Sequence, residues 1–255
     1  MTTVADASLV SRWLPFTVPD GPLRLFCLPH AGGSASAYRA WHGRLGRVAI
    51  CPLQPPGRET RLRETPFDRM EPLVAELADV VLATAGQDPY AVYGHSLGGL
   101  VGFELLREIR RRGGPMPERF FVSGCPAPQL PDEHGDPPVA GMTDDEVVGL
   151  LRRLGGTPEW LLADPAVLQM ILPPFRADFS VKETYRHREE PPLDLPITAL
   201  AGTHDPRADP AAMRGWRDQT VGGFTSHVLT GGHFVMLERP ELTHRHLADA
   251  LRPWM

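Results

Sequence analysis

Apolar residues recur along this chain in two rhythms, and the switch between them draws the architecture. Short, mostly apolar runs at residues 23–28 (LRLFCL), 47–53 (RVAICPL), 90–94 (YAVYG), 119–124 (RFFVSG), 197–202 (ITALAG) and 224–230 (FTSHVLT) have the length and composition of strands. Between them the apolar positions fall at helical spacing. Residues 34–45 place Tyr38, Trp41 and Leu45 on one side, and Asp68 can cap a long helix through Val81 that aligns Leu73, Leu77 and Val80. Residues 97–113 read as a helix closing at Gly113. Strand and helix alternate as in an α/β fold: a mostly parallel central sheet with helices on both faces.

The alternation stops between Pro126 and Pro196, where the pattern is helical or irregular. Thr143 with Glu146 forms a capping box, and Asp164-Pro165 caps a second helix. Pro173-Pro174 is expected to break that helix, with another starting at Phe175. This predicts a core built from residues 1–125 and 197–255 and an inserted helical lid over 126–196, or else an ordinary long crossover. The α/β pattern then resumes, with a helix capped by Asp209-Pro210 and a last helix near Pro240.

At 255 residues the chain is long enough for one large domain, with or without an insertion. A net charge of −5 argues against a nucleic-acid binder. The three cysteines, Cys27, Cys51 and Cys125, have no metal-ligand spacing and read as free thiols, so a cytoplasmic setting is expected. No signal-peptide pattern opens the sequence, and no eighteen apolar residues run together, so no membrane span is expected.

Against this ordinary background, Gly94-His95-Ser96-Leu97-Gly98 stands out between a strand and a helix. Turning that sharply strains the serine backbone and leaves no room for bulky neighbours, which explains the glycines. It also lifts a hydroxyl to a helix N-terminus, where developing negative charge is favoured. The alternative is a glycine-rich turn without chemistry.

A serine nucleophile needs a base, and ten histidines are available. His233 lies in a glycine-rich loop just past a strand end, from which an imidazole can reach across the sheet's carboxyl edge. His227 falls inside a strand pattern, and His244 and His246 inside the last helix, so structural or surface roles suit them better. His204 and His30 read as local hydrogen-bonding residues. The orienting acid is Asp205, soon after a strand end, with Asp209 as fallback because it already has a capping job. Residues 28–38 (LPHAGGSASAY) follow the first strand, so the backbone N–H groups of Ala31 and Leu97 can form an anion site.

With these residues in place, the chain resembles a type II thioesterase, the stand-alone editing hydrolase of modular polyketide and nonribosomal peptide synthases. The resemblance runs over nearly the whole chain, through LPHAGGSASAYRAW, PPGRE, YGHSLGG, LPPFRADFSVKETY, AGTHD and GGHFVMLE. It implies an α/β-hydrolase fold with a helical lid, and it carries the nucleophile onto Ser96, the acid onto Asp205, the base onto His233 and the donor loop onto Ala31. Where the family commonly has an aromatic residue before PGRE, this chain has Pro55.

The resemblance further implies a phosphopantetheinylated acyl or peptidyl carrier protein as partner, small misloaded acyl groups as substrate, and a monomer needing no metal or cofactor. Arg58, in a loop with Arg61 and Arg63, is then a candidate for the entrance that meets the phosphorylated arm or an acidic carrier. Read by itself, that loop could equally be a solvated basic segment. The triad alone does not separate a thioesterase from a carboxylesterase, and a silent binding module is the third alternative.

Overall fold

A computed structural model describes residues 7–131 and 137–255. Six strands, β1 (Arg24–Leu28), β2 (Ala49–Pro52), β3 (Tyr90–His95), β4 (Arg119–Ser123), β5 (Ile197–Gly202) and β6 (Phe224–Leu229), form one sheet in the order β2-β1-β3-β4-β5-β6. Every neighbouring pair is parallel. The chain steps outward from β1 to β2 and then returns to the other side of β1, so the order reverses between β1 and β3. Ligands bind in such sheets beyond the carboxyl ends of the strands at this reversal.

A parallel sheet covered on both faces makes its inner strands apolar on both sides, as β1, β3, β4 and β5 are. Phe26, Val92, Phe120 and Ile197 share one core with α2 (Met70–Ala85) and α3 (Leu97–Arg111); α1 (Ala7–Trp13) adds Trp13 to that side. Leu25, Cys27, Tyr93 and Phe121 point the other way, towards Tyr38 and Trp41. Between β4 and β5 the described residues contain α4 (Asp144–Leu154), α5 (Glu159–Leu162) and α6 (Pro165–Thr184), with a small core of their own around Val147, Leu151, Leu172 and Phe175. Three short helices complete the chain: α7 (Pro210–Arg214), α8 (Val235–Glu238) and α9 (Pro240–Ala250).

The Thr143–Glu146 capping box and the Asp164 and Asp209 caps all form. Three local expectations are corrected. Residues 34–45 hold a 3₁₀ helix over Ala35–Trp41 in place of an α-helix. Three residues per turn stack Tyr38 above Trp41, and both rings are buried with centroids 5.0 Å apart. The second helix starts at Met70 with Arg69 at its N-cap and no side-chain cap, so Asp68 does not serve there. Pro72 still falls in the first turn, where a missing N–H costs nothing.

The third correction concerns α6, which continues unbroken through Pro173 and Pro174. The two prolines deprive the carbonyls of Gln169 and Met170 of intrahelical donors, but both residues are exposed and water can serve them. Beyond the prolines, Phe175, Asp178 and Val181 are buried, and this packing holds the helix together across the gap. Replacing the exposed Pro173 by alanine therefore restores one hydrogen bond and removes a ring clash. Thermal or urea unfolding should show Pro173→Ala more stable by about 1–3 kcal/mol, whereas a helix ending at this point would gain nothing.

Candidate active site

Ser96 sits where β3 ends and α3 begins, at positive φ, with φ 54° and ψ −121°. A non-glycine residue there carries strain of order 1–3 kcal/mol. The turn survives because its flanks are bare. A Cβ on Gly94 would lie 2.1 Å from the Gly98 carbonyl oxygen, and one on Gly98 would lie 2.3 Å from the Leu28 carbonyl oxygen. The strain is clamped by the Ser96 N–H donating to the Ser123 carbonyl at 2.8 Å and the Gly99 N–H donating to Ser96 at 2.8 Å.

Two further loops on the same sheet edge meet through their side chains. His233, past the end of β6, presents Nδ1 at 2.8 Å from Oδ2 and 3.0 Å from Oδ1 of Asp205, past the end of β5. A carboxylate can only accept, so Nδ1 carries a proton, and in the neutral imidazole this leaves the lone pair on Nε2. Backbone N–H groups of Arg207 and Ala208 also donate to Asp205 Oδ1, at 2.8 and 3.2 Å, which fixes the carboxylate. The Thr203 and His204 N–H groups bond across to Leu229 and Gly231 at 2.9 Å, joining the two loops. Asp209 stays apart, capping α7 through Ala211 and Ala212.

Ser96, Leu97, Ala31 and His233 line one cavity of about 400 Å³, with Asp205 buried behind His233. Leu97 is the first residue of α3, so its N–H has no intrahelical acceptor. Ala31 lies in the loop after β1, beside the elbow, because β1 and β3 are neighbours paired through Leu28 and Gly94. The far wall is apolar and comes from α4, α5 and α6, including Leu151, Leu161, Ile171, Phe175 and Phe179.

Arg58 does not lie on this wall. Its side chain is 7% exposed, and its guanidinium is spent on Asp178, the Gly33 carbonyl and the Pro56 carbonyl. An entrance role needs an exposed cation, so that reading is corrected. Arg61 is likewise buried, bonded to Glu64 and the Gln54 carbonyl with its guanidinium over the Trp13 ring. The PPGRETR loop is neither a solvated basic segment nor a landing surface. Its two arginines are structural, and Arg63, just beyond it, is exposed.

Sequence reasoning missed two residues that the site leans on. Asp178 is one; its signal was a lone carboxylate in the apolar stripe Phe175, Asp178, Val181 of α6. His95 is the other. It is fully buried beneath the elbow, its Nδ1 2.9 Å from Ser123 Oγ and its ring centroid 5.0 Å from that of His233. His30 was read as a local hydrogen-bonding residue, yet its buried Nδ1 has no partner among the described residues and its ring packs edge-on against Phe234. The outlying histidines pack locally: His204 bonds Thr203, His227 stacks on His246, and His244 meets Trp41.

Residues 23–251 match the model of the thioesterase domain family. The chain is 39% identical to Thioesterase PikA5 of Streptomyces venezuelae over 226 residues, which cover 86% of this chain and 77% of that one. Among solved structures, RedJ, a thioesterase from the prodiginine biosynthetic pathway in Streptomyces coelicolor, superposes with a TM-score of 0.84 at 38% identity, covering 94% of this chain and 98% of its own. BorB, the type II thioesterase from the borrelidin biosynthetic cluster, gives a TM-score of 0.83 at 36% identity, covering 94% and 97%.

Burial, reinforced by nearby His233 and Arg58, lowers His30 to about 4, and burial above all holds His95 well below the usual histidine range. Both are neutral when folded at pH values where an unfolded chain protonates them. Their contribution to stability is therefore complete above about pH 6.5 and is lost progressively as the pH falls below it, for His30 towards 4. Urea unfolding at pH 7 and pH 5 should show the wild type losing about 1–2 kcal/mol more than His30→Gln, at about 1.4 kcal/mol per pH unit. An equal loss in both proteins would mean that residue 30 does not titrate in this window.

Proposed function

Because the chain belongs to the thioesterase family of α/β-hydrolase fold, we propose that it is a stand-alone editing hydrolase. It removes acyl groups from the phosphopantetheine arm of carrier proteins in modular polyketide or nonribosomal peptide synthases. The observation that carries this reading is the Asp205–His233 pair opening onto the cavity that also holds the strained Ser96.

In this reading His233 Nε2 takes the Ser96 proton as Oγ attacks the thioester carbonyl, and Asp205 holds the imidazolium that forms. The carbonyl oxygen becomes an oxyanion facing the Ala31 and Leu97 N–H groups, beside the positive end of α3. Collapse of the adduct breaks the C–S bond. The arm leaves as a thiol, with the proton returned by His233, and an acyl-Ser96 ester remains. Water, deprotonated by His233, then repeats the sequence and releases the acid.

The helical insertion acts as a lid, and its apolar wall supports an acyl group as the occupant of the cavity. A serine below such a wall suits a substrate delivered on a long, thin arm, with remote contacts to the arm and carrier supplying binding energy for the transition state.

Three measurements test the assignment. A fluorophosphonate should label Ser96, read by mass spectrometry, and Ser96→Ala or His233→Ala should lose about 10⁴-fold or more in kcat; labelling elsewhere would overturn the nucleophile. Asp205→Ala should lower turnover strongly, whereas Asp209→Ala should keep turnover and lose roughly 0.5–2 kcal/mol of stability through its cap. Finally, kcat/KM for one acyl group should be higher on a carrier protein than on free pantetheine or a simple oxygen ester. Equal or better use of the oxygen ester would make the protein a general carboxylesterase.

A further inference from the structure

Asp178 is the one carboxylate of α6 buried against the donor loop. Its Oδ2 accepts the Gly32 N–H at 2.7 Å and Arg58 Nη1 at 2.5 Å, and its Oδ1 accepts Arg58 Nη2 at 3.0 Å. Arg58 Nη1 reaches on to the Gly33 carbonyl at 3.1 Å. One buried ion pair thus grips both sides of Gly32-Gly33, from a helix 146 residues away in sequence.

The grip falls on a peptide with two available orientations. Residues 30–33 form a turn closed by the Gly33 N–H on the His30 carbonyl at 2.8 Å, with Gly32 in the third position at φ 75°. Positive φ there marks a type II turn, which differs from type I in the flip of its central peptide. Here that peptide joins Ala31 to Gly32. With its N–H on Asp178, the flipped form would aim the Ala31 carbonyl at a carboxylate. Asp178 therefore selects one orientation of this peptide, and by anchoring Gly32 it holds in place the turn whose preceding peptide carries the Ala31 N–H.

A bare carboxylate beside an anion site would also repel the oxyanion that must form there. Arg58, held by two parallel hydrogen bonds, neutralises Asp178 while leaving it free to accept from Gly32.

We propose that Asp178, compensated by Arg58, is a positioning residue through which the lid helix sets the aim of the backbone donors in the anion site. The inference rests on the acyl-transfer reading above, and the two fail separately. A fully active Ser96→Ala overturns that reading; a fully active Asp178→Asn beside an inactive Ser96→Ala overturns only this one.

The experiment measures steady-state thioester hydrolysis, thermal melting and the affinity of two inhibitors sharing one acyl chain. A trifluoromethyl ketone forms a tetrahedral oxyanion, and a thioether imitates only the ground state. Asp178→Asn should lower kcat by about 10- to 100-fold, less than deleting a donor outright, with KM changed less than about threefold. The ketone should weaken by the same factor as kcat, and the thioether should not weaken. The double variant R58M/D178L removes both buried charges and should melt nearer to the wild type than the single variant, since apolar pairs can replace buried ion pairs. Its kcat should nevertheless stay low, because leucine cannot hold the Gly32 N–H. The proposal is overturned if either variant, folded at the assay temperature by circular dichroism, keeps kcat within about twofold of wild type. Equal weakening of both inhibitors, or recovery of kcat together with melting in the double variant, would also overturn it, reducing the pair to a structural brace.

Discussion

The site depends on two loops made adjacent by the parallel pairing of β1 with β3, whose last register pair is Leu28 with Gly94. Beyond that pair the strands diverge into different jobs, one into the loop at residues 29–34 and the other into the turn at Ser96. The approach of the two is set by backbone contact, since a Cβ at Gly98 would collide with the carbonyls of both Leu28 and Pro29. A side chain at that point would separate the elbow from the donor loop and with it the serine from Ala31. The reversal of strand order puts this contact at the sheet's open crevice, where a substrate can enter.

Around that contact, the buried charged side chains have their partners built in. Arg58, Arg61 and Asp178 are each at most 7% exposed, and each has hydrogen-bond partners for its charge. Leaving one member of such a pair alone is far more costly than removing both. This is why the PPGRETR loop, although rich in arginine, faces inward. The arginines pin it to Gln54, Gly33 and α6, and Gln54 in turn accepts the Ala35 N–H at 3.2 Å.

The imidazoles follow a different rule. His30, His95 and His233 gather around Phe234, with ring centroids 4.9, 5.5 and 5.0 Å from it. Only His233 has a carboxylate partner. Burial keeps the other two neutral, so His233 has no imidazolium beside it at neutral pH. Asp205 thus gives one histidine of the cluster the means to carry a proton, while the others supply bulk and shape.

The sequence by itself determined the strand runs, the caps at Thr143, Asp164 and Asp209, and the strand–turn–helix setting of Ser96. These depend on local physics: burial of a continuous apolar strand, a side chain reaching a nearby N–H, and glycines where two elements touch. It did not determine the course of α6, because the cost of Pro173-Pro174 is local while the packing of Phe175 and Asp178 that outweighs it is remote. Nor could it tell that Tyr38 and Trp41 would draw their segment into a 3₁₀ turn, although the competing cap of Asp209 did single out Asp205 as the partner of His233. The clearest divide is Arg58. From its neighbours it is a cation in a basic loop, and only the tertiary structure brings Asp178 from 120 residues away to bury it. Charge pairing across such a distance leaves no periodic trace in a chain, so Asp178 went unnoticed beside Arg58 until the fold joined them.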